Sequence, residues 1–299
     1  MGALSEVGRI RRLVVKHAAD AFGSPAAIDA EWRDLNFTGA PEFSRALGEY
    51  DAFLALLARA GAEILRLPAA PGVGLDSIYV RDATVIGPTG VILGSMGKAQ
   101  RAAEPAVQEH ALLGWGIPIA GAIRPPGWLE GGDVVWLDTR IVAVGRGYRT
   151  NDEGIRQFRA LLGGAIDELI VVPLPHWRGP SDVFHLMSVL SPVDHRLAVV
   201  YSRLLPAPFH ERLLDLGFRL VDVPDEEFDS MGANVLAIAP RQCVAVAGNP
   251  RTRARLEQAG AEVWVYEGRE ISLKGGGGPT CLTRPLLRDP VGKTTSHPT

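Results

Sequence analysis

The sequence predicts an α/β fold built from one repeated unit, closed into a ring or stacked, and three observations point there. A short apolar strand, a polar turn, a second strand, an amphipathic helix and a third strand recur about five times, at a spacing of roughly 45–60 residues. Each helix stops at a glycine and runs on into a strand. Neither a G-x-G-x-x-G fingerprint nor a G-x-x-x-x-G-K-S/T loop occurs, which weakens the competing doubly wound, nucleotide-binding sheet.

The units can be followed along the chain. "RRLVVK" (11–16) is a strand, "EFSRALGEYDAFLALLARAG" (42–61) a helix with apolar residues at helical spacing, and "AEILRLP" (62–68) the strand after it. The second unit runs through "IYVRDATVIGPTGVILG" to a helix in "AEPAVQEHALLGWG". The third is "GDVVWLDTRIVAVG", "TNDEGIRQFRALLG" and "ELIVVPLP"; the fourth is "MSVLSPVDHRLAVVY", "APFHERLLDLG" and "RLVDVP". The fifth is "ANVLAIAPRQCVAVAG", "NPRTRARLEQAG" and "AEVWVYE".

Composition narrows the function. A net charge of −3 gives no basic field for nucleic acid or an anionic membrane surface. No apolar run approaches the roughly 20 residues that span a bilayer. The first twenty residues lack the pattern of a cleaved signal, and two cysteines make no disulfide framework, so a cytoplasmic protein is expected. Residues 1–290 are expected to form one catalytic domain and 291–299 a disordered tail. Pairing with another copy is left open.

The repeats are informative where they break their own apolar rule. Asp76, Arg81 and Asp82 run into and through an apolar strand, Glu130 and Asp133 flank two glycines at a strand entrance, and His185 sits between Phe184 and Leu186. In the fifth unit the run "GGGG" delivers Cys281. Each feature alone has an ordinary explanation: a satisfied core histidine, a small buried thiol, a tight turn, a linker. A ring would converge them on one axis. Cysteine, histidine and a carboxylate are the parts of a nucleophilic site, and further acid favours a cationic electrophile such as a guanidinium. Cys243, within an apolar strand, reads as packing, as do Trp115, Trp128 and Trp136. "RPPGW" (124–128) reads as a loop at the channel mouth and "AFGSPAAIDAEW" (21–32) as a mobile lid.

"DSIYVRD", "LEGGDVV", "GYRTNDEG", "FHLMSVL" and "GGGGPTCLTRPL" together resemble the guanidino-group-modifying superfamily of arginine deiminases, dimethylarginine dimethylaminohydrolases and amidinotransferases, over residues from about 10 to 290. The resemblance implies a five-bladed, pseudo-symmetric α/β propeller with a central active-site channel and closest kinship to the dimethylarginine hydrolases. It implies Cys281 as nucleophile, His185 as general acid and base, Glu130 as the triad carboxylate and Asp82 as the acid that grips the guanidinium. It further implies Arg149 and Arg101 as receptors for a substrate carboxylate, Asp76 as another substrate contact, and no cofactor or metal. Two departures bear on substrate: Met187 stands where deiminases and amidinotransferases carry an acid, and Arg81 where dimethylarginine hydrolases often carry glutamate.

The expected activity is hydrolysis of the guanidino group of arginine or a substituted arginine to a ureido product, through a thiouronium on Cys281. A deiminase of another guanidine compound and an amidinotransferase are the alternatives. A metal-dependent ureohydrolase is disfavoured because His176, Asp182, His185, Asp194 and His195 do not form a paired D-x-H-x-D set. A silent guanidine-binding protein is disfavoured because Cys281, His185 and Glu130 are all present.

Overall fold

The computed structural model describes residues 4–182 and 184–290. The expected disordered tail, 291–299, lies outside the described residues. Five three-stranded sheets account for all the strands among them, one per repeated unit. In every sheet the middle strand pairs antiparallel with one neighbour and parallel with the other, across a helix.

The first sheet contains β1 (Ile10–Val15), which reaches β2 (Glu63–Arg66) through three helices: α1 (Ala18–Phe22), α2 (Pro25–Glu31) and α3 (Phe43–Arg59). The second holds β3 (Thr84–Ile86), β4 (Val91–Leu93) and, after α4 (Glu104–Gly114), β5 (Ile119–Ala122). The third holds β6 (Val134–Asp138), β7 (Ile141–Arg146) and, after α5 (Asp152–Leu162), β8 (Glu168–Pro173). The fourth holds β9 (Leu190–Asp194), β10 (Leu197–Val200) and, after α6 (Ala207–Asp215), β11 (Arg219–Asp222). The fifth holds β12 (Val235–Ala239), β13 (Gln242–Val246) and, after α7 (Pro250–Gln258), β14 (Glu262–Tyr266). The last strand, β15 (Arg284–Arg288), pairs antiparallel with β1, with Leu13 opposite Pro285. This pairing closes the ring and corrects one expectation. Cys281 belongs to the first unit, whose missing strand is supplied by the end of the chain, and not to the fifth.

The helices follow from their sequence. Asn151 accepts the Gly154 amide at 2.8 Å and caps α5, satisfying a donor the first turn leaves free. In α3, Ala46, Tyr50, Phe53 and Leu57 fall three and four residues apart, so they share one face and are fully buried with Leu13, Val244 and Tyr266. Each such aromatic or aliphatic side chain contributes about 1.5–3 kcal/mol on burial. Segment 21–32 is not a free lid: it forms the end of α1 and all of α2, with Phe22 and Ile28 in the same core. No helix among the described residues is long and apolar enough to cross a membrane.

Candidate active site

The candidate side chains occupy equivalent turns because the repeat places them there. In each unit the turn before the first strand of the sheet presents a polar residue: Asp82 before β3, Glu130 before β6, His185 before β9, Asn234 before β12 and Cys281 before β15. Asn234 was not among the sequence-derived candidates. An asparagine before a strand reads as ordinary turn chemistry, and only its equivalent place in the repeat could have marked it.

Cys281 and His185 both line a cavity of about 480 Å³, with Asn234, Met187, Phe184 and Lys274 among its other walls. The Asn234 amide lies 3.6 Å from the Cys281 Sγ, while its Oδ1 accepts from the Thr280 amide at 3.1 Å and hydroxyl at 2.9 Å. The turn that carries the thiol is thus tied to the neighbouring unit. The glycine run before it is packed rather than loose. A side chain on Gly277 would strike the Tyr79 ring and one on Gly278 would strike Asn234, and Gly276 takes a φ of 75°.

Behind His185 stands a buried chain of charges. His185 Nε2 lies 2.8 Å from Glu130 Oε2, and Glu130 also accepts from Arg149 Nη1 at 3.0 Å and from the Gly97 amide at 2.9 Å. Asp133 accepts from the Thr150 hydroxyl at 2.6 Å and from the Leu186 amide at 3.0 Å, which fixes the backbone beside His185. Burial alone would lower the affinity of His185 for its proton. The carboxylates of Asp82, Asp133 and Glu130 outweigh it and push the imidazole up to about 9, so it is cationic at neutral pH. Burial likewise opposes ionisation of Glu130, but Arg149 and His185 hold it well below the usual carboxylate range. Burial pushes the Cys281 thiol up, and the nearby Asp82 charge adds to the effect.

Asp82 is the open acceptor. Its Oδ2 takes Arg101 Nη1 at 2.6 Å, while Oδ1 is buried without a hydrogen-bond partner among the described residues, 3.9 Å from His185 Nδ1. Gly132 lies against that gap: a Cβ there would come 2.7 Å from His185 Nδ1 and 2.8 Å from Asp82 Oδ1. Gly132→Ala is therefore expected to lower kcat roughly 100-fold by displacing His185. Overpacking is expected to cost about 1–3 kcal/mol of stability as well. Kinetics combined with chemical denaturation would measure both.

The other expected substrate contacts lie elsewhere. Arg101 is buried between Asp82 and both oxygens of Glu104, each at 2.8 Å, and donates to the Tyr79 carbonyl at 3.0 Å. Arg149 is turned onto Glu130, and Asp76 is paired with Lys98 at 2.6 Å. None of the three lines the 480 Å³ cavity, and neither do Asp82 and Glu130; of the sequence-derived candidates only His185 and Cys281 reach its wall. Besides His185, the charged groups that line it are Arg178, Asp182, Asp229 and Lys274, of which Arg178 and Asp229 pair at 2.8 Å and Lys274 pairs with Glu270 at 2.5 Å. "RPPGW" lines a separate groove with Ala106 and Glu109, not this mouth. One oxygen or nitrogen each from Asp82, Glu130 and His185 fall within 4.8 Å of one another, but Arg101 and Arg149 already occupy the two carboxylates, a poor environment for a metal cation.

Comparison with known proteins decides the family. A family profile described as N,N dimethylarginine dimethylhydrolase, eukaryotic, matches residues 23–288. The chain belongs to the dimethylarginine dimethylhydrolase family. It is thereby a hydrolase acting on C–N bonds of linear amidines, within the guanidino-modifying superfamily. Among similar sequences, the arginine deiminase of Mycobacterium avium is 29% identical over 92% of this chain and 80% of its own. The uncharacterized protein YkgA of Bacillus subtilis is 29% identical over 76% of this chain and 74% of its own. The dimethylarginine hydrolase of Pseudomonas aeruginosa, solved as a cysteine-to-serine mutant complexed with citrulline, superposes with a TM-score of 0.75. That match is 23% identical and covers 94% of this chain and 99% of that one, so it establishes the fold. The dimethylarginine hydrolase family thus shares the five-unit propeller that the sequence motifs implied.

Proposed function

We propose that this protein hydrolyses the guanidino group of arginine or an N-methylated arginine to citrulline and an amine, with Cys281 as nucleophile. The observation that carries the reading is the buried, unpartnered Asp82 Oδ1 beside a cationic His185, in the group of turns that presents Cys281. A carboxylate oxygen left without a donor in a buried site is matched by a guanidinium N–H. The five entrance turns act as one catalytic domain, since the site draws on every unit.

In the proposed sequence the free enzyme holds a neutral Cys281 thiol, kept protonated by burial and by Asp82. A bound guanidinium neutralises Asp82 and favours ionisation, so the Cys281 thiol gives up its proton to solvent and becomes the thiolate. The thiolate attacks the guanidino carbon. The C–N bond breaks as His185 passes a proton to the departing nitrogen, and a thiouronium stays on Cys281. The neutral His185 then takes a proton from water, the resulting hydroxide adds to the same carbon, and the C–S bond breaks to return the thiolate as the new hydroxyl sheds its proton to solvent, which releases the neutral ureido product. Glu130 keeps the imidazolium oriented and Arg149 keeps Glu130 ionised. At the cavity wall Asp182 is suited to the amine of an amino-acid substrate, and Lys274 and Arg178 to its carboxylate, which would share them with their present partners Glu270 and Asp229.

His185 must be protonated for the first half-reaction, so kcat/KM is expected to fall as pH rises through about 9. The sign for stability is the same. A histidine held above its unfolded value of about 6.5 contributes fully below that pH, and the contribution is lost through the folded value. A pH–rate profile with its alkaline limb near pH 6.5 would contradict this assignment. The substrate is identified by incubating the protein with arginine, mono- and dimethylarginine, agmatine and short guanidino acids, and reading products by mass spectrometry. Citrulline with methylamine or dimethylamine identifies a methylarginine hydrolase, and citrulline with ammonia from arginine alone identifies a deiminase. Turnover that requires an acceptor amine would overturn the hydrolase reading.

A further inference from the structure

Next to the Cys281 turn, three arginines are buried together around a second, much smaller cavity. Arg81, Arg284 and Arg288 are 1%, 5% and 4% exposed, and with Glu6 and Trp136 they line a space of about 20 Å³. Glu6, brought in by the segment before β1, accepts from Arg81 Nη2 at 2.6 Å. Arg284 donates to the Arg81 carbonyl, and Arg288 Nη1 donates to the carbonyls of Gly8 at 2.6 Å and Ala237 at 2.9 Å. Against three guanidinium charges stands one paired carboxylate, which leaves two cationic charges in the interior; Asp82 acts on Arg284 only through space.

The polar atoms left over are all donors. Arg81 Nε and Nη1, Arg284 Nε, Arg288 Nη2 and Trp136 Nε1 are buried with no acceptor among the described residues. A guanidinium does not shed its proton readily in a protein, so the charge is relieved by what fills the cavity. Water would bring two hydrogens of its own to a wall whose side-chain acceptors, Glu6 and Ser5, are already engaged by Arg81 and by the Val7 and Gly8 amides. An anion accepts from the guanidinium groups that make up the other side. The space exceeds the roughly 10–15 Å³ that one water-sized occupant needs, yet leaves no room for a polyatomic oxyanion. Crowding of like charge shows in the arginines themselves: burial and the Arg81 guanidinium, opposed by Glu6, push Arg288 down to about 10.

We propose that this cavity is a binding site for a single halide-sized monovalent anion, held by Arg81, Arg284, Arg288 and the Trp136 indole N–H. The proposal does not depend on the substrate assignment above. Its direct test is a crystal of the full chain grown with bromide as the halide, read by anomalous scattering. The expected result is one bromide peak in the cavity, touching the guanidinium groups. An ordered water there, or a cavity with no anomalous signal in crystals whose surface does bind bromide, overturns the proposal. In solution, the unfolding temperature is expected to rise saturably with chloride over gluconate at matched ionic strength. Trp136→Phe, which removes one N–H and keeps an aromatic ring, should move that saturation to roughly tenfold higher chloride. Arg288→Met should move it further. Identical midpoints in chloride and gluconate, or a chloride effect unchanged in Trp136→Phe, would equally overturn it.

Discussion

Cys281→Ser is expected to lose roughly 10³–10⁶-fold in turnover while remaining folded, because the hydroxyl is a far weaker nucleophile than a thiolate. The side-chain hydrogen bonds of the Cys281 Sγ are long, 3.6 Å to Asn234 and 3.8 Å to Thr280, and serine is nearly isosteric, so stability should change by no more than about 1 kcal/mol. Substrate should still bind, since Asp82 and the rest of the cavity wall are untouched. Single-turnover kinetics and a binding isotherm on the same variant separate the two effects. Full turnover by the serine variant would remove Cys281 from the chemistry.

Glu130→Gln is expected to do damage of two kinds. Glu130 is fully buried and joins Arg149 to His185, so the neutral amide leaves the Arg149 charge unmatched. Breaking a buried pair this way costs about 3–5 kcal/mol. The imidazolium also loses one of the three carboxylates that sustain it, so the alkaline limb of kcat/KM should move to lower pH. A merely structural Glu130 would lower stability and leave that limb in place. Denaturation and a pH–rate profile, taken together, decide between the two.

The legible part of this molecule was its local chemistry. Helix stops at Gly61 and Gly217 and the apolar face of α3 are set by neighbours a few residues away, and the five-unit pattern follows from them. Asp82, Glu130, His185 and Cys281 stood out because each is polar where its strand should be apolar. What escaped was non-local. The pairing of β15 with β1 joins the two ends of the chain and moves Cys281 from one unit to another. Asn234 is polar in the same place as the others, but its turn gave it an ordinary role until its amide was found beside the thiol. The inward pairing of Arg101 with Asp82 and Glu104, and of Arg149 with Glu130, depends on how separate loops meet, so both arginines read as free cations in the sequence. The glycine run shows the same limit. Its composition reads as flexibility, whereas Tyr79 and Asn234, distant in sequence, leave no room for side chains at Gly277 and Gly278.

The claim on which the rest turns is a covalent intermediate on Cys281. Protein mixed with arginine or dimethylarginine, quenched in acid during steady turnover and digested, should yield the peptide containing Cys281 with an added substrate-derived thiouronium. Wild-type protein without substrate and Cys281→Ser with it should yield the unmodified peptide. Citrulline formed at full rate with no adduct at Cys281 at any quench time, or an adduct on Cys243 in its place, would contradict the account.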